Sequence, residues 1–321
     1  MLTAKERFGV FYSFVPRLTA ILHLLDLADR GPVFAEHNLR DENLPTLTDE
    51  NLVALGFEDA WDRRRLLAAF APATPPGPAR QVAKGEAGER PFINSLGLPL
   101  ASVPPAGAFF GIWQTRVWEY AVFCAETGTA VPGADFPQGD DHPVVNVSWN
   151  DAVAFTKWLT KRERALGLIR SSLEYRLPRD FEWSAAVGLT GEPGSSPAER
   201  SGRLRVYPWG GEFPPPKGAG NYHTWLACDD FPETSPVGSF APNEFALCDM
   251  GGNVWEWCYD EHQRNSAQRV VRGASCFNDD PEFLLSSYRG KHPAATKKNN
   301  VGFRIVLTHA EERDPWQGPT G

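Results

Sequence analysis

The run SPVGSFAPNEFALCDMGGNVWEW, from Ser235 to Trp257, decides the fold. Pro, Gly, Asn and Asp interrupt its first half too often for a long helix or strand. Gly251 and Gly252 then permit a tight backbone. Beyond them Trp255 and Trp257 alternate with Glu256, the period of a half-buried strand. Near the end of the chain, NNVGFRIV (Asn299 to Val306) alternates likewise and predicts a late central strand.

The same texture extends outward. From Pro91 to about Leu307, short apolar runs are separated by turn residues, and two helices stand out. One opens at Ser148-Trp-Asn-Asp151, a capping-box-like start followed by Val153, Trp158 and Leu159. The other opens at Pro178-Arg-Asp-Phe-Glu-Trp183, with Pro at or near the first helical position. The expected class is α+β: loop-rich, with small antiparallel sheets and two main helices. Of 11 Trp, nine lie between Trp113 and Trp257, and a loop-rich fold needs such large rigid side chains for its interior.

Residues 1–71 read as helical. Leu18, Ile21, Leu22 and Leu25 share a helix face. Thr48 caps a second helix with Asn51 as reciprocal partner, Gly56 ends it, and Asp62 to Phe70 forms a third. Residues 72–90 are a Pro-rich linker, and 308–321 a tail. The 321-residue chain carries a net charge of -8, which excludes a broad nucleic-acid surface. Five Cys, an odd count without C-x-x-C, exclude a disulfide framework and imply reduced thiols. Neither an 18-residue apolar span nor a signal-peptide cleavage pattern is present. The expectation is a protein cytoplasmic as synthesised, without membrane insertion.

Eight segments, in order, resemble the formylglycine-generating-enzyme (sulfatase-modifying factor) family: NSLGLPL (Asn94 on), QTRVWEYAVF (Gln114 on), HPVVNVSWNDAVAF (His142 on), YRLPRDFEWSAA (Tyr175 on), YPWGGE (Tyr207 on), the Ser235–Trp257 run, RVVRGAS (Arg269 on) and NNVGFRIV. The resemblance implies a C-type-lectin-like fold over 91–307. The N-terminal segments Phe34–Leu39 and Leu44–Phe57 resemble, more weakly, a SAM domain, which implies self-association.

The chemistry of the family requires a Cu(I)-binding Cys pair, because soft thiolates select that ion. Between RGAS and GFR this chain has one Cys, Cys276; the catalytic positions align with Asn278 and Phe283. The iron site of related sulfoxide synthases needs three His in an N-terminal bundle, where this chain has only His23 and His37. Neither copper nor iron is expected. No G-x-S-x-G or H-E-x-x-H occurs. A non-catalytic binding role is expected, with a displaced-site oxidase as alternative. A calcium-dependent sugar binder is a lesser alternative, since Trp149-Asn150-Asp151 falls at a helix start and lacks a partner motif.

The C-terminal run also resembles the variable proteins of diversity-generating retroelements, in which a C-type-lectin scaffold carries altered residues on one face. Most of Cys276–His292 lies within the residue set reachable from an Asn codon mutated at its first two bases; Glu282 and Lys291 do not. Aromatics beside small polar residues resemble a paratope. The expected ligand face is Tyr259, His262, Phe277, Asp279, Phe283, Tyr288, Gly290 and His292, its partner a protein or cell-surface ligand. The family resemblance further implies two structural calcium sites. One comprises Asn221, Asp229 and the carbonyls of Tyr222 and Phe231. The other comprises Asp249, Glu256 and the carbonyls of Gly252 and Val254.

Overall fold

The computed structural model describes Leu18, Leu22 and residues 27–40, 43–70 and 92–310. Expectations for Ile21, His23 and Leu25, the linker, and the tail beyond Ala310 lie outside these residues. Two compact units emerge. The first holds the N-terminal helices, and the second holds Leu100–Arg164 and the chain from Ile169 on.

The first unit contains helices α1 (Gly31–Glu36), α2 (Asp49–Ala54) and α3 (Ala60–Phe70). The capping box at α2 is present: Asn51 N–H donates to Thr48 Oγ1 at 3.2 Å, and Thr48 N–H to Asn51 Oδ1 at 3.0 Å. Gly56 follows in the left-handed region, as a helix stop requires. Phe34 packs against Phe57 and Phe70 in a core with Leu18, Leu22, Leu44, Leu52 and Leu66.

The second unit is α+β, as expected. One sheet takes β1 (Phe92–Ile93), β2 (Pro99–Val103), β3 (Ala108–Gly111), β9 (Val306–His309) and β4 (Leu173–Arg176) in that order. The other takes β7 (Gly290–Pro293), β6 (Gln268–Arg272), β5 (Trp255–Glu261) and β8 (Val301–Phe303). The NNVGFRIV run is therefore not one central strand. Its first part edges the second sheet, parallel to β5; the chain switches at Arg304–Ile305; its end joins the first sheet between β3 and β4. That strand runs past Leu307 to His309.

Glu256 overturns the half-buried reading of β5. Trp255, Glu256 and Trp257 are all buried, so both faces of the strand are covered. Of the nine Trp from Trp113 to Trp257, five are buried and three half-buried, but Trp225 is 83% exposed.

Helix α5 (Trp149–Ala165) begins where expected, with Ser148 and Asp151 exchanging hydrogen bonds across its first turn. Helix α6 (Asp180–Ala186) begins at Asp180, so Pro178 lies two residues ahead of the first helical turn. Helix α4 (Val117–Thr127) is a third long element that periodicity missed. Trp118 to Cys124 is buried without interruption, so it shows no amphipathic stripe. A four-residue helix, α7, spans Pro197–Arg200. Among the described residues no helix is long and apolar enough to cross a membrane.

Candidate functional site

The edge strand β7 positions the site. It pairs antiparallel with β6, setting Gly290 opposite Val271 and His292 opposite Arg269. A Cβ at Gly290 would stand 2.7 Å from Val271 Cγ2 and 3.6 Å from Trp255 Cζ3. The missing side chain thus keeps open a cavity of about 510 Å³ in front of Trp255.

One wall is aromatic. Trp255 lies 5.9 Å from Tyr288, and Tyr288 5.0 Å from Phe283, between ring centroids. The lining also carries polar side chains, among them His262, Lys291, His292, Lys298 and Asn300. Burial pushes both imidazoles below the usual histidine value, aided by Lys291 at His262 and by Lys298 at His292. Both therefore favour the neutral form. Arg289 also lines the cavity, but its guanidinium is held by Asp180 at 3.0 Å and Glu192 at 2.7 Å.

Five of the eight expected face residues, His262, Phe283, Tyr288, Gly290 and His292, share this cavity. Phe277 is exposed and packs edge-on to Phe136, while Asp279 is half-buried and does not line the cavity. Tyr259 lies elsewhere, beside Trp149 and under Arg179, lining two other cavities of about 190 and 550 Å³. Replacing all eight residues by Ala would therefore disturb the fold as well as the face, because Gly290 has no room for a Cβ and His262 is only 7% exposed. The sequence reading missed Trp255, Lys298 and Asn300 as lining residues. Trp255 was hidden because a Trp in a recognisable motif reads as core; the lysine and asparagine flank a scaffold strand.

The segment that aligns with a catalytic Cys pair has other chemistry here. Cys276 is fully buried, and burial pushes its thiol up to about 12. It holds no useful thiolate near neutral pH. Asn278 Oδ1 accepts from the N–H and the hydroxyl of Ser275, closing a turn, and Phe283 belongs to the aromatic wall. All five cysteines are unpaired thiols.

The residues of the two oxygen sets that the resemblance implies for calcium have the following partners. In the first, Asp229 accepts from the N–H groups of Tyr222 at 3.0 Å and Phe231 at 2.9 Å. Asn221 Oδ1 is buried with no hydrogen-bond partner. In the second, the carbonyls of Asp249, Gly252 and Val254 and Oε1 of Glu256 converge on Nε2 of Gln114, at 3.1 to 3.4 Å. One amide carries two protons, so four oxygens around it leave lone pairs unsatisfied. Arg304 balances Glu256 at 2.8 Å, and Trp183 Nε1 donates to it at 2.9 Å. Burial raises Asp249 to about 6, against a backbone hydrogen bond from Gly238. The donor chemistry of both sets fits a hard cation, which prefers such oxygens. Both depend on amide or carbonyl oxygens, since no three His, Cys, Asp or Glu gather among the described residues.

Comparison with known proteins places this geometry among relatives. The profile of the sulfatase-modifying factor enzyme 1-like domain matches residues 91–309. The formylglycine-generating enzyme of Thermomonospora curvata is 36% identical over 138 residues, 40% of this chain and 37% of that protein. The inactive C-alpha-formylglycine-generating enzyme 2 of Bos taurus is also 36% identical, over 196 residues, 55% of this chain and 54% of that one. The chain thus spans about half or less of the length of these two relatives. Among solved structures, Treponema denticola variable protein 1 is 20% identical with a TM-score of 0.42, covering 62% of this chain and 84% of its own.

Proposed function

The chain belongs to the sulfatase-modifying factor enzyme 1-like domain family, and we propose that it is a binding member of that family rather than a catalytic one. Membership leaves the chemistry open, because relatives named as active and as inactive enzymes stand at the same identity. The side chains favour binding. Where the family's copper chemistry needs two thiolates, this chain has a turn-closing Asn278, a wall-forming Phe283 and the fully buried Cys276.

The ligand is a protein or cell-surface group: Phe283 and Tyr288 at the cavity, with the exposed Phe277, offer rigid aromatic anchors beside polar groups. The C-terminal stretch is the part a diversity-generating retroelement rewrites. The flanking DNA tests that origin: a near-copy of the codons for about Trp255 to Arg304, differing only at adenines and lying beside a reverse-transcriptase gene, would support it. Its absence leaves a binding module of fixed sequence.

The test is a ligand selected from a displayed protein library against the intact chain. Phe277→Ala, Phe283→Ala and Tyr288→Ala together should abolish its binding while leaving the melting temperature near wild type. Collapse of the fold would make these residues core and overturn the reading. Copper-dependent oxygen uptake with a Cys-containing peptide would establish the oxidase alternative instead.

A further inference from the structure

We propose that the cavity beside β7 receives a carboxylate, carried by an acidic side chain of a peptide segment that also presents an apolar group. This rests on the binding reading above and adds the chemistry of the partner. Although the chain carries a net charge of -8, none of the residues lining this cavity is acidic. Lys291 and Lys298 stand at it without an ion-pair partner among the described residues. Arg289, the third cation, is neutralised by Asp180 and Glu192 and contributes little free charge.

The histidines supply the second observation. His262 is 93% buried, lines the cavity, and its ring makes no hydrogen bond to any described residue. His292 is half-buried and lines the cavity too. Buried polar groups normally find a partner, so an imidazole left open toward a cavity marks a place for one. A neutral imidazole donates one N–H and a carboxylate accepts it. In the same lining, Tyr288 and Phe283 offer ring surface to an apolar neighbour of the acid.

The full-length protein is titrated with acetyl-Gly-Glu-Phe-Glu-Gly-amide, its Gln counterpart, and inorganic phosphate. Calorimetry gives affinity, and the imidazole resonances of His262 and His292 report the place. The Glu peptide should bind saturably, shift both imidazoles and bind roughly ten-fold tighter than the Gln peptide, an advantage that shrinks with salt. Lys291→Gln with Lys298→Gln should remove that advantage and leave the melting temperature unchanged.

Equal affinity for the two peptides, no saturable binding of the Glu peptide, or a preference unchanged in the double variant would overturn the proposal. So would imidazole shifts with phosphate alone. A selected ligand that still depends on Phe283 and Tyr288 would then leave the binding reading intact. One indifferent to them would remove that reading as well.

Discussion

Two clusters of charge meet at Arg289, and they are organised in opposite ways. Behind the strand, Asp180 accepts from Arg272 at 2.6 Å and from Arg289 at 3.0 Å, with all three side chains buried. In front, Lys291 and Lys298 face the cavity with no acidic partner among the described residues, beside two imidazoles whose values burial lowers. A buried charge persists only when paired and hydrogen-bonded, so the rear cluster is what the fold requires. The front cluster has no pairing to lose, and its charge is available to a ligand.

Breaking the rear cluster should have the largest effect. Asp180→Ala leaves two buried guanidinium groups facing each other and should cost about 3–5 kcal/mol. Denaturant unfolding measures it, and a loss below about 1 kcal/mol would erase the distinction between the clusters. The next effect concerns the oxygens around Gln114. If calcium stands there, a chelator should lower stability by about 3 kcal/mol relative to calcium at a hundred times its Kd. Gln114→Glu should then be tolerated with calcium and strongly destabilising in chelator. Unchanged melting curves in chelator would count against both oxygen sets. Gly290→Ala should cost about 1–3 kcal/mol by forcing a methyl against Val271, so the cavity's floor is structural although its rim is not.

Motif and spacing made the scaffold legible. The capping boxes at Thr48 and Ser148 lie where polar residues three apart place them. The burial of Glu256 was not legible, because alternation reports one covered face and cannot see a second layer. Arg304, which bonds to Glu256, Gly111 and Cys248, occupies the switch between sheets that the sequence reads as strand interior. Of the face, the loop from Phe277 to His292 was visible by its irregularity. Tyr259 was misplaced because its strand carries it to another cavity, and Lys298 stayed hidden in a flanking turn. Pairing across distant segments decides which charges are free, and that information is not local.

Acidification should separate the two clusters with the smallest change in stability, because they titrate in different ranges. His262 and His292 have folded values below the ordinary 6.5, chiefly through burial. The unfolded chain therefore takes up protons first, and their contribution is lost as pH falls from about 6.5 through the lower folded values. For Asp180, burial alone would raise the carboxyl, but Arg272 and Arg289 outweigh it and hold it below 3.8. Its contribution is complete above 3.8 and is lost only as pH falls through the depressed folded value. A stability–pH curve should show a shallow decline beginning near pH 6.5 that His262→Gln with His292→Gln reduces, the remainder coming from His142, which burial lowers in the same direction. The steeper acid limb should remain in that variant and weaken in Asp180→Asn. A double His variant that leaves the shallow decline untouched would place the neutral-pH titration elsewhere and dissolve the contrast between a paired interior and an open rim.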